Sequence, residues 1–384
     1  MRKRIEQEKI EAQILAPYAV LALNSQGRDY PEPKSKSRTD FQRDRDRIIH
    51  CRAFRHMMYK TQVFVNHVGD YFRTRLTHTI EVAQIAKSIA KILMLNEDLT
   101  EAIALAHDIG HTPFGHAGEE MLHHLMQGYG GFEHNRQGLR VVELLEKNYQ
   151  DFYGLNLTFE VREGIIKHKT EYDSPEKNET ARFLPDQSPP LEAQIVNVAD
   201  EIAYNNHDID DGIKSGLLTY DQLHQIPVWE QEIKKINLEY KLDKDLLRSY
   251  AVRELIGRQI NDVLETTWEK IQQLNLKSVE EVRHQPIIVS FSEEMKENNR
   301  ILKKFLYQNL YQHYRVIKMQ DKAKRFIQRI FEAYMNEPKQ LPPDHWNRME
   351  NESQQRVVCD YIAGMTDRYA MDEYQRLFEP YTRI

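Results

Sequence analysis

The chain contains 384 residues, of which 40% are hydrophobic and 29% are charged, and its formal net charge is −6. This composition is typical of a globular protein with a core large enough for one or two domains, and it excludes a strongly basic protein that coats nucleic acid. The presence of only 2 cysteines excludes a disulfide framework and is typical of a reducing compartment, so we expect a cytoplasmic protein.

The N-terminal region, residues 1–37, is expected to pack on the rest of the molecule as an extension. Residues 1–12 alternate in charge and predict a solvated helix. The apolar run at residues 14–23 superficially resembles a signal peptide. The acidic residues Glu6, Glu8 and Glu11 make the preceding region mixed in charge, and Pro17 interrupts the run, so we expect it to dock on the core instead. An exposed loop is expected over residues 24–40.

The helix predicted for residues 41–60 carries many arginines, interleaved with Asp44 and Asp46. Most of these arginines are expected to form a salt-bridged surface that faces solvent. The alternative is that some of them, such as Arg52 and Arg55, face a phosphate, which arginine binds in a bidentate manner. The run at residues 63–65 is β-branched and aromatic, and it predicts a short strand or part of a hairpin.

The histidines are concentrated between residues 78 and 134, where seven of the 16 are found. His78 begins a predicted helix with an apolar stripe, and the pair His107-Asp108 follows an Ala-rich segment that predicts a buried helix. Because neutral imidazole is the commonest metal ligand, a metal site is the first hypothesis. Asp200 is the best candidate for a distant carboxylate ligand. Two histidines and two aspartates suit a divalent ion with open coordination positions, and the alternative is a set of unrelated histidines on helix faces.

A second candidate site follows the His-Asp pair. Gly110 and Pro113 cannot continue the preceding helix, so a new helix is expected to begin near His116. His116 and Glu119 are three residues apart on its first turn and therefore share a face. A carboxylate beside an imidazole raises the pKa of the imidazole and holds it for proton transfer, so this pair is a candidate for acid–base catalysis. His134 is expected to open the next helix.

The third informative segment carries Asp200, Tyr204 and Asp208, which fall at i, i+4 and i+8 and form one stripe of a helix. If Asp200 binds a metal ion, the other two side chains lie one and two turns away. The stripe is therefore a candidate face for a ligand held by the metal. The alternative is an acidic residue near a helix N-terminus followed by exposed polar residues.

The remaining segments carry less chemical information. His168 is expected either to line the cleft or to be a core histidine, and the loop at residues 170–190 is long enough to have a functional role beside the cleft. Residues 212–290 show helical periodicity, and residues 290–335 predict one or two long amphipathic helices. Packing is the expected role of residues 290–335, and an interface or a regulatory nucleotide pocket is the alternative.

Several strings in the chain resemble the deoxyguanosine triphosphate triphosphohydrolase family of the HD-domain metal-dependent phosphohydrolases. The spaced pattern is His78, His107-Asp108 and Asp200. The continuous strings are residues 43–50, 59–64, 107–116, 132–136 and 199–211. The resemblance implies an all-α fold, with an HD-domain helical core at residues 38–211. It also implies additional C-terminal helices at residues 212–384, which belong to the same domain, close the cleft and form an oligomer interface.

The resemblance also implies a role for each site residue. The expected ligands of one divalent ion (Mg, Mn, Fe, Co, Ni or Zn) are His78, His107, Asp108 and Asp200. The expected catalytic residues are His116, Glu119 and His134. The expected substrate-binding residues are Arg75 and His111 for phosphate, Gln62 and Asp208 for the sugar 3′-OH, and Tyr204 against C2′ of the sugar.

The implied activity is hydrolysis of dGTP, or of another deoxynucleoside triphosphate (dNTP), to a deoxynucleoside and tripolyphosphate. A side chain against C2′ disfavours ribonucleotides, because a buried 2′-OH would clash or stay unpaired. The alternatives are an HD hydrolase of cyclic nucleotides or guanosine tetraphosphate, and a non-catalytic sensor of nucleotides or single-stranded nucleic acid. By resemblance, we also expect a homo-oligomer, from dimer to hexamer, a regulatory nucleotide, and no membrane partner.

Overall fold

The computed structural model describes residues 1–62, 72–169 and 181–381, and these residues form 18 α-helices and no strand, apart from two isolated bridges. The predicted all-α fold is therefore confirmed. The strand or hairpin expected at residues 63–65 lies outside the described residues, and so does the first part of the loop expected at residues 170–190.

The helices are joined mostly by short connections. The first nine are α1 (Arg4–Ile14), α2 (Asp40–His50), α3 (Arg52–His56), α4 (Arg75–Ile92), α5 (Glu97–Ala106), α6 (His116–Leu125), α7 (His134–Arg140), α8 (Phe159–Ile166) and α9 (Leu191–Lys214). The others are α10 (Tyr220–Leu223), α11 (Pro227–Glu239), α12 (Lys244–Leu274), α13 (Val279–Arg283), α14 (Glu293–Leu306), α15 (Tyr314–Asn336), α16 (Pro343–Trp346), α17 (Gln354–Ala363) and α18 (Asp367–Phe378). Short 3-10 turns occur at Ala22–Asn24, Met57–Tyr59, Pro338–Gln340 and Asn347–Glu350, and π turns at Val141–Leu145 and Tyr307–Tyr311.

The centre of the fold is formed by α4, α5 and α9, which pack on one another. Side-chain caps set where the first two begin: Thr74 accepts a hydrogen bond from the backbone N–H of Thr77, and Asn96 caps α5 in the same way. Small buried residues such as Ala86 and Ala102 allow the helix backbones to approach closely. This packing brings the start of α4, the end of α5 and the middle of α9 to one place.

The apolar part of the N-terminal region contacts this core. Residues 16–22 are largely buried between α1 and the core. The backbone N–H of Ala16 donates to the carbonyl of Met94 at 2.8 Å, and that of Val20 donates to the carboxylate of Glu192 at 2.9 Å. Burial raises the pKa of the Glu192 carboxyl.

The arginines of α2 form salt bridges, as predicted, but not all of them face solvent. Arg45 Nη1 lies 2.9 Å from Asp98 Oδ1, and this arginine is partly exposed. Arg47 Nη2 lies 2.7 Å from Glu32 Oε1, and this arginine is buried. Arg52 and Arg55, on α3, are exposed to solvent.

The C-terminal helices build two further apolar clusters. One surrounds Trp229 and joins α11, α12 and α14. The other joins Leu122 of α6 to Ile327 of α15 and Val358 of α17. The C-terminal helices therefore support α6, which begins at His116, from the side away from the core. Among the described residues, we find no helix that has both the length and the apolar character needed to cross a bilayer.

Candidate active site and metal centre

A cavity of about 300 Å³ opens where α4, α5, α9 and α14 meet. Most of the predicted site residues line it, namely Gln62, Arg75, His78, Asp108, His111, His116, His134, Asp200 and Tyr204. The other three predicted residues, His107, Glu119 and Asp208, lie behind this lining and contact residues that form it.

The predicted metal ligands come together from three helices. His78 lies on the first turn of α4, His107 and Asp108 directly follow α5, and Asp200 lies in the middle of α9. The Nε2 atom of His78 is 2.8 Å from Asp200 Oδ1. The Nε2 atom of His107 is 3.6 Å from Asp108 Oδ1 and 3.7 Å from Asp200 Oδ1. Two overlapping groups of three side chains could each hold an ion. They are His78 with His107 and Asp108, and His107 with His168 and Asp200.

The imidazole of His107 is oriented as a metal ligand should be. Its Nδ1 atom lies 2.6 Å from the carbonyl oxygen of Ala104, so Nδ1 carries the proton and Nε2 presents a lone pair. That Nε2 atom is buried and has no hydrogen-bond partner among the described residues. A buried nitrogen without a partner is costly, and a cation between it and the two carboxylates would satisfy it.

The charge states of the cluster also fit a divalent cation. Burial alone would raise the pKa of the Asp108 carboxyl, but the charge of Arg75 holds it well below its usual range. Burial likewise opposes ionisation of Asp200, but hydrogen bonds from His168 and His78 hold its pKa well below the usual range. Burial lowers the pKa of His107. Two carboxylates and a neutral imidazole are the donors that such an ion requires.

His168 joins this cluster, which resolves the choice left open by its sequence context. It directly follows the last turn of α8, its Nε2 atom lies 3.5 Å from Asp200 Oδ2, and it lines the cavity. Its ring centroid is 5.1 Å from that of His107. No spacing signal connects His168 to Asp200, because the two residues are 32 positions apart in the sequence.

A second imidazole–carboxylate group lies beside the first. A Cβ added to Gly110 would lie 2.1 Å from the carbonyl oxygen of His134, so the glycine permits the close approach of α7 to the loop after α5. The rings of His111 and His134 stack with centroids 3.9 Å apart. Glu119 Oε1 lies 3.1 Å from His134 Nδ1 and accepts from its backbone N–H at 2.9 Å. Glu119 is therefore held mainly by His134.

His116, the partner expected for Glu119 from their spacing, is exposed at the rim of the cavity. Burial alone would raise the pKa of Glu119, but the charge of His134 and its hydrogen bond lower it, and His111 and His116 add to this effect. Burial and the charge of Arg75 hold the pKa of His111 well below its usual range. The group thus contains an ionised carboxylate beside a neutral imidazole.

The wall expected to face a sugar contains an additional tyrosine. Gln62 Oε1 is buried and has no hydrogen-bond partner within residues 1–62, 72–169 and 181–381, and Tyr204 lines the cavity. Asp208 is separated from the cavity by Tyr311, whose hydroxyl donates to the Asp208 carboxylate. Burial raises the pKa of Asp208 to about 8.

Several cavity residues were not predicted. Asn197, Glu201 and Asn205 form a second stripe of α9 at i, i+4 and i+8, a spacing that was visible in the sequence. Lys303 of α14 lies 3.0 Å from Glu201 Oε1. The others are Lys169, Leu306 and Tyr311, which no local pattern connects to the predicted site.

The chain matches two family models. Residues 75–205 match the HD domain, and residues 289–376 match the phosphohydrolase-associated domain. The first match spans all four candidate metal ligands. The second match includes α17 and most of α18.

Curated relatives match over the whole length of the chain. A protein of Geobacter metallireducens is 53% identical over 387 residues, which cover 100% of both chains. A protein of Geobacter sulfurreducens is 52% identical over 98% of both chains, and one of Ralstonia pickettii is 52% identical over 95% of this chain and 94% of its own. All three are named deoxyguanosinetriphosphate triphosphohydrolase-like proteins. The chain therefore belongs to the deoxyguanosinetriphosphate triphosphohydrolase-like family of HD-domain, metal-dependent phosphohydrolases.

Proposed function

We propose that this protein hydrolyses deoxynucleoside triphosphates, with dGTP as the first candidate, to a deoxynucleoside and tripolyphosphate. The observation that carries the proposal is the composition of the one cavity described above. It combines a carboxylate–imidazole cluster suited to a metal ion with the uncharged polar side chains of Gln62 and Tyr204. A triphosphate requires the first feature, and a sugar requires the second.

His78, His107, Asp108 and Asp200 would hold one divalent ion, whether Mg, Mn, Fe, Co, Ni or Zn. When bound, such an ion supplies Lewis-acid polarisation of a phosphoryl oxygen. The support for this assignment is the unpaired Nε2 atom of His107 and the two ionised carboxylates that face it.

The remaining polar residues would bind the triphosphate and move protons. Arg75 binds phosphate oxygens and offsets the charge that develops on them, and the neutral imidazole of His111 donates a hydrogen bond to them. A water attacks the α-phosphorus and gives its proton to the group formed by His116, Glu119 and His134. The bond from phosphorus to the 5′-oxygen breaks, and the 5′-oxygen takes up a proton to leave as the deoxynucleoside hydroxyl. Glu119 holds His134 by two contacts, at 3.1 and 2.9 Å.

The sugar would be selected by shape and by hydrogen bonds. Tyr204 packs against C2′ and leaves no room for a 2′-OH, so ribonucleotides are disfavoured. Gln62 binds the 3′-OH, and its buried, unpaired Oε1 atom supports this role. Asp208 accepts from the same hydroxyl once the Tyr311 hydroxyl, which donates to it in this structure, gives way.

Product analysis tests the proposal. The purified protein is incubated with each dNTP, alone and in mixtures, with manganese or magnesium, and the products are separated by ion-exchange chromatography. We expect deoxynucleoside and tripolyphosphate in equal amounts. Monophosphate with pyrophosphate, or no turnover of any dNTP, would overturn the proposal and favour a phosphodiesterase or a non-catalytic sensor.

We further propose that the protein acts in the cytoplasm as a homo-oligomer, between dimer and hexamer, and that a regulatory nucleotide stimulates it. Both cysteines are unpaired and buried, which suits a reducing compartment. Large apolar side chains such as Met58 and Ile80 are exposed and would suit a subunit interface. Light scattering, with and without a second dNTP, would test the oligomeric state and its response to nucleotide.

A further inference from the structure

The segment that joins α17 to α18, residues 363–367, contacts two segments that carry proposed site residues. Asp367 Oδ1 accepts a hydrogen bond from the backbone N–H of Phe114 at 2.8 Å. Asp367 Oδ2 accepts from the backbone N–H of Thr61 at 2.9 Å and from the Thr61 hydroxyl. Asp367 is only 4% exposed, so water does not compete for these bonds.

A buried lysine links the same three segments by further hydrogen bonds. The Nζ atom of Lys60 donates to the carbonyl oxygen of His111 at 2.5 Å and to that of Ala363 at 2.9 Å. Its side chain is also almost fully buried. Lys60 and Asp367 therefore form two hydrogen-bonded links between the C-terminal segment and the site.

The loop at residues 111–115, which accepts and donates these hydrogen bonds, has an unfavourable backbone conformation that contacts with other segments must stabilise. Phe114 has φ of 65° and Gly115 has φ of 58°, and the left-handed region is unfavourable for a bulky residue such as phenylalanine. A Cβ added to Gly115 would lie 3.3 Å from Arg75 Nη2 and 3.5 Å from the carbonyl oxygen of Gln62. The loop is thus packed tightly against two residues to which we assign substrate binding.

We propose that Asp367 is a positioning residue, through which the phosphohydrolase-associated region holds Gln62 and the loop 111–115 in the arrangement that the reaction requires. The HD-domain match ends at residue 205, so the part of the chain that it covers lacks this carboxylate. The inference rests on the proposed function for its kinetic test, but the contacts themselves do not depend on it. It gives the C-terminal region a defined task in the active site.

Three variants separate this role from simple stability. Asp367→Asn keeps the size of the side chain but replaces one of the two accepting oxygens by an NH₂ group. That group cannot accept a hydrogen bond, so one of the two backbone N–H groups loses its acceptor. Asp367→Glu keeps the carboxylate and serves as the rescue variant. Asp372→Asn is the matched control, because Asp372 lies on the same helix, is about half exposed and pairs only with Arg368 among the contacts that the structure gives.

The kinetic readout is the discrimination between dGTP and 2′,3′-dideoxyGTP, measured as the ratio of the two kcat/KM values. We expect Asp367→Asn and Gln62→Ala each to lower this ratio about tenfold, because a displaced or truncated Gln62 no longer reaches the 3′-OH. In the double variant, the two losses should not add, since both act through the same hydrogen bond. Asp367→Glu should recover most of the ratio, and Asp372→Asn should leave it unchanged.

A second readout needs no turnover. Hydrogen–deuterium exchange, measured on the full chain without substrate, should show faster exchange for the backbone amides of Thr61 and Phe114 in Asp367→Asn than in Asp372→Asn. Unchanged exchange at these amides would overturn the proposal, and so would a lowered melting temperature with an unchanged discrimination ratio. If the wild-type protein hydrolyses no dNTP, the proposed function fails by itself, and the exchange measurement still decides whether Asp367 holds the loop.

Discussion

Asp108 is the residue on which the metal hypothesis depends most directly. Its carboxylate lies 3.0 Å from both Arg75 Nη1 and His111 Nε2, and it faces the unpaired Nε2 atom of His107. We expect Asp108→Ala to lose bound divalent metal and dNTP hydrolysis together, as measured by plasma mass spectrometry and by product release. Asp151→Ala, in an exposed loop, is the control. A variant that kept its metal would show that the ion is held elsewhere.

His116 tests the proton-transfer role separately from metal binding. It lies at the rim of the cavity, outside the group of predicted metal ligands. We expect His116→Ala to keep its metal content and to lower kcat by about 10²–10⁴-fold, the usual range for an acid–base residue. His124→Ala is a close control, because His124 is exposed on the same helix. Normal turnover in His116→Ala would defeat the assigned role.

Within a single helix, the spacing of residues in the sequence showed which side chains share a face. Of the three residues that the four-residue spacing along α9 placed on one face, Asp200 and Tyr204 line the cavity, whereas Asp208 lies behind Tyr311. The equally regular stripe of Asn197, Glu201 and Asn205 was visible in the sequence but had no role assigned to it. Spacing within one helix shows which side chains share a face, but it does not show what that face meets.

Contacts between helices were much harder to predict. Glu119 was expected to pair with His116, which shares its helix, and it is held mainly by His134 from α7. His168 and Tyr311 reach the site from segments that show no local relation to it. Such pairings depend on the packing of α7, α8 and α14, which a periodic pattern does not specify.

The first turn of α4 leads to a prediction about metal affinity. His78 faces Asp200 with Nε2, while its Nδ1 atom lies 3.2 Å from His207 Nδ1, and His207 Nε2 contacts the carboxylate of Glu81. Partners of this kind fix the orientation of a metal-ligating imidazole. We expect His207→Leu to weaken metal affinity about 10- to 100-fold, measured by competition with a chelator.

The matched variant is His207→Gln, whose amide oxygen can still accept a hydrogen bond from His78 Nδ1. We expect it to lose less affinity than His207→Leu. Equal affinity in all three proteins, with circular dichroism showing that each is folded, would mean that His207 only fills space.

For the whole molecule, the sequence was sufficient for the fold class and insufficient for the arrangement of the C-terminal helices. Local patterns predicted helices after residue 212, but not that α15 and α17 pack on α6. They also did not show that Asp367 reaches Thr61, because that contact joins residues that are 306 positions apart. The support of the site by the C-terminal region is therefore a property of the tertiary structure alone.

The buried contact between Lys60 and the C-terminal region leads to a prediction about stability. Lys60 is fully buried between the two regions, and burial, with the nearby charge of Arg75, lowers its pKa from 10.5 to about 7. Between these two values the unfolded chain binds a proton that the folded chain releases. The contribution of Lys60 to stability therefore rises with pH across this window and is constant below it.

We expect urea unfolding between pH 7 and 10 to show this rise in the wild-type protein relative to Lys60→Met, with a slope that approaches about 1.4 kcal/mol per pH unit. The comparison between the two proteins cancels the titration of the other groups that they share. Lys318→Met, on an exposed face of α15, should track the wild type at every pH. Parallel stability curves for Lys60→Met and the wild type would mean that Lys60 keeps its proton in the folded protein, and that a charged ammonium group holds the two regions together.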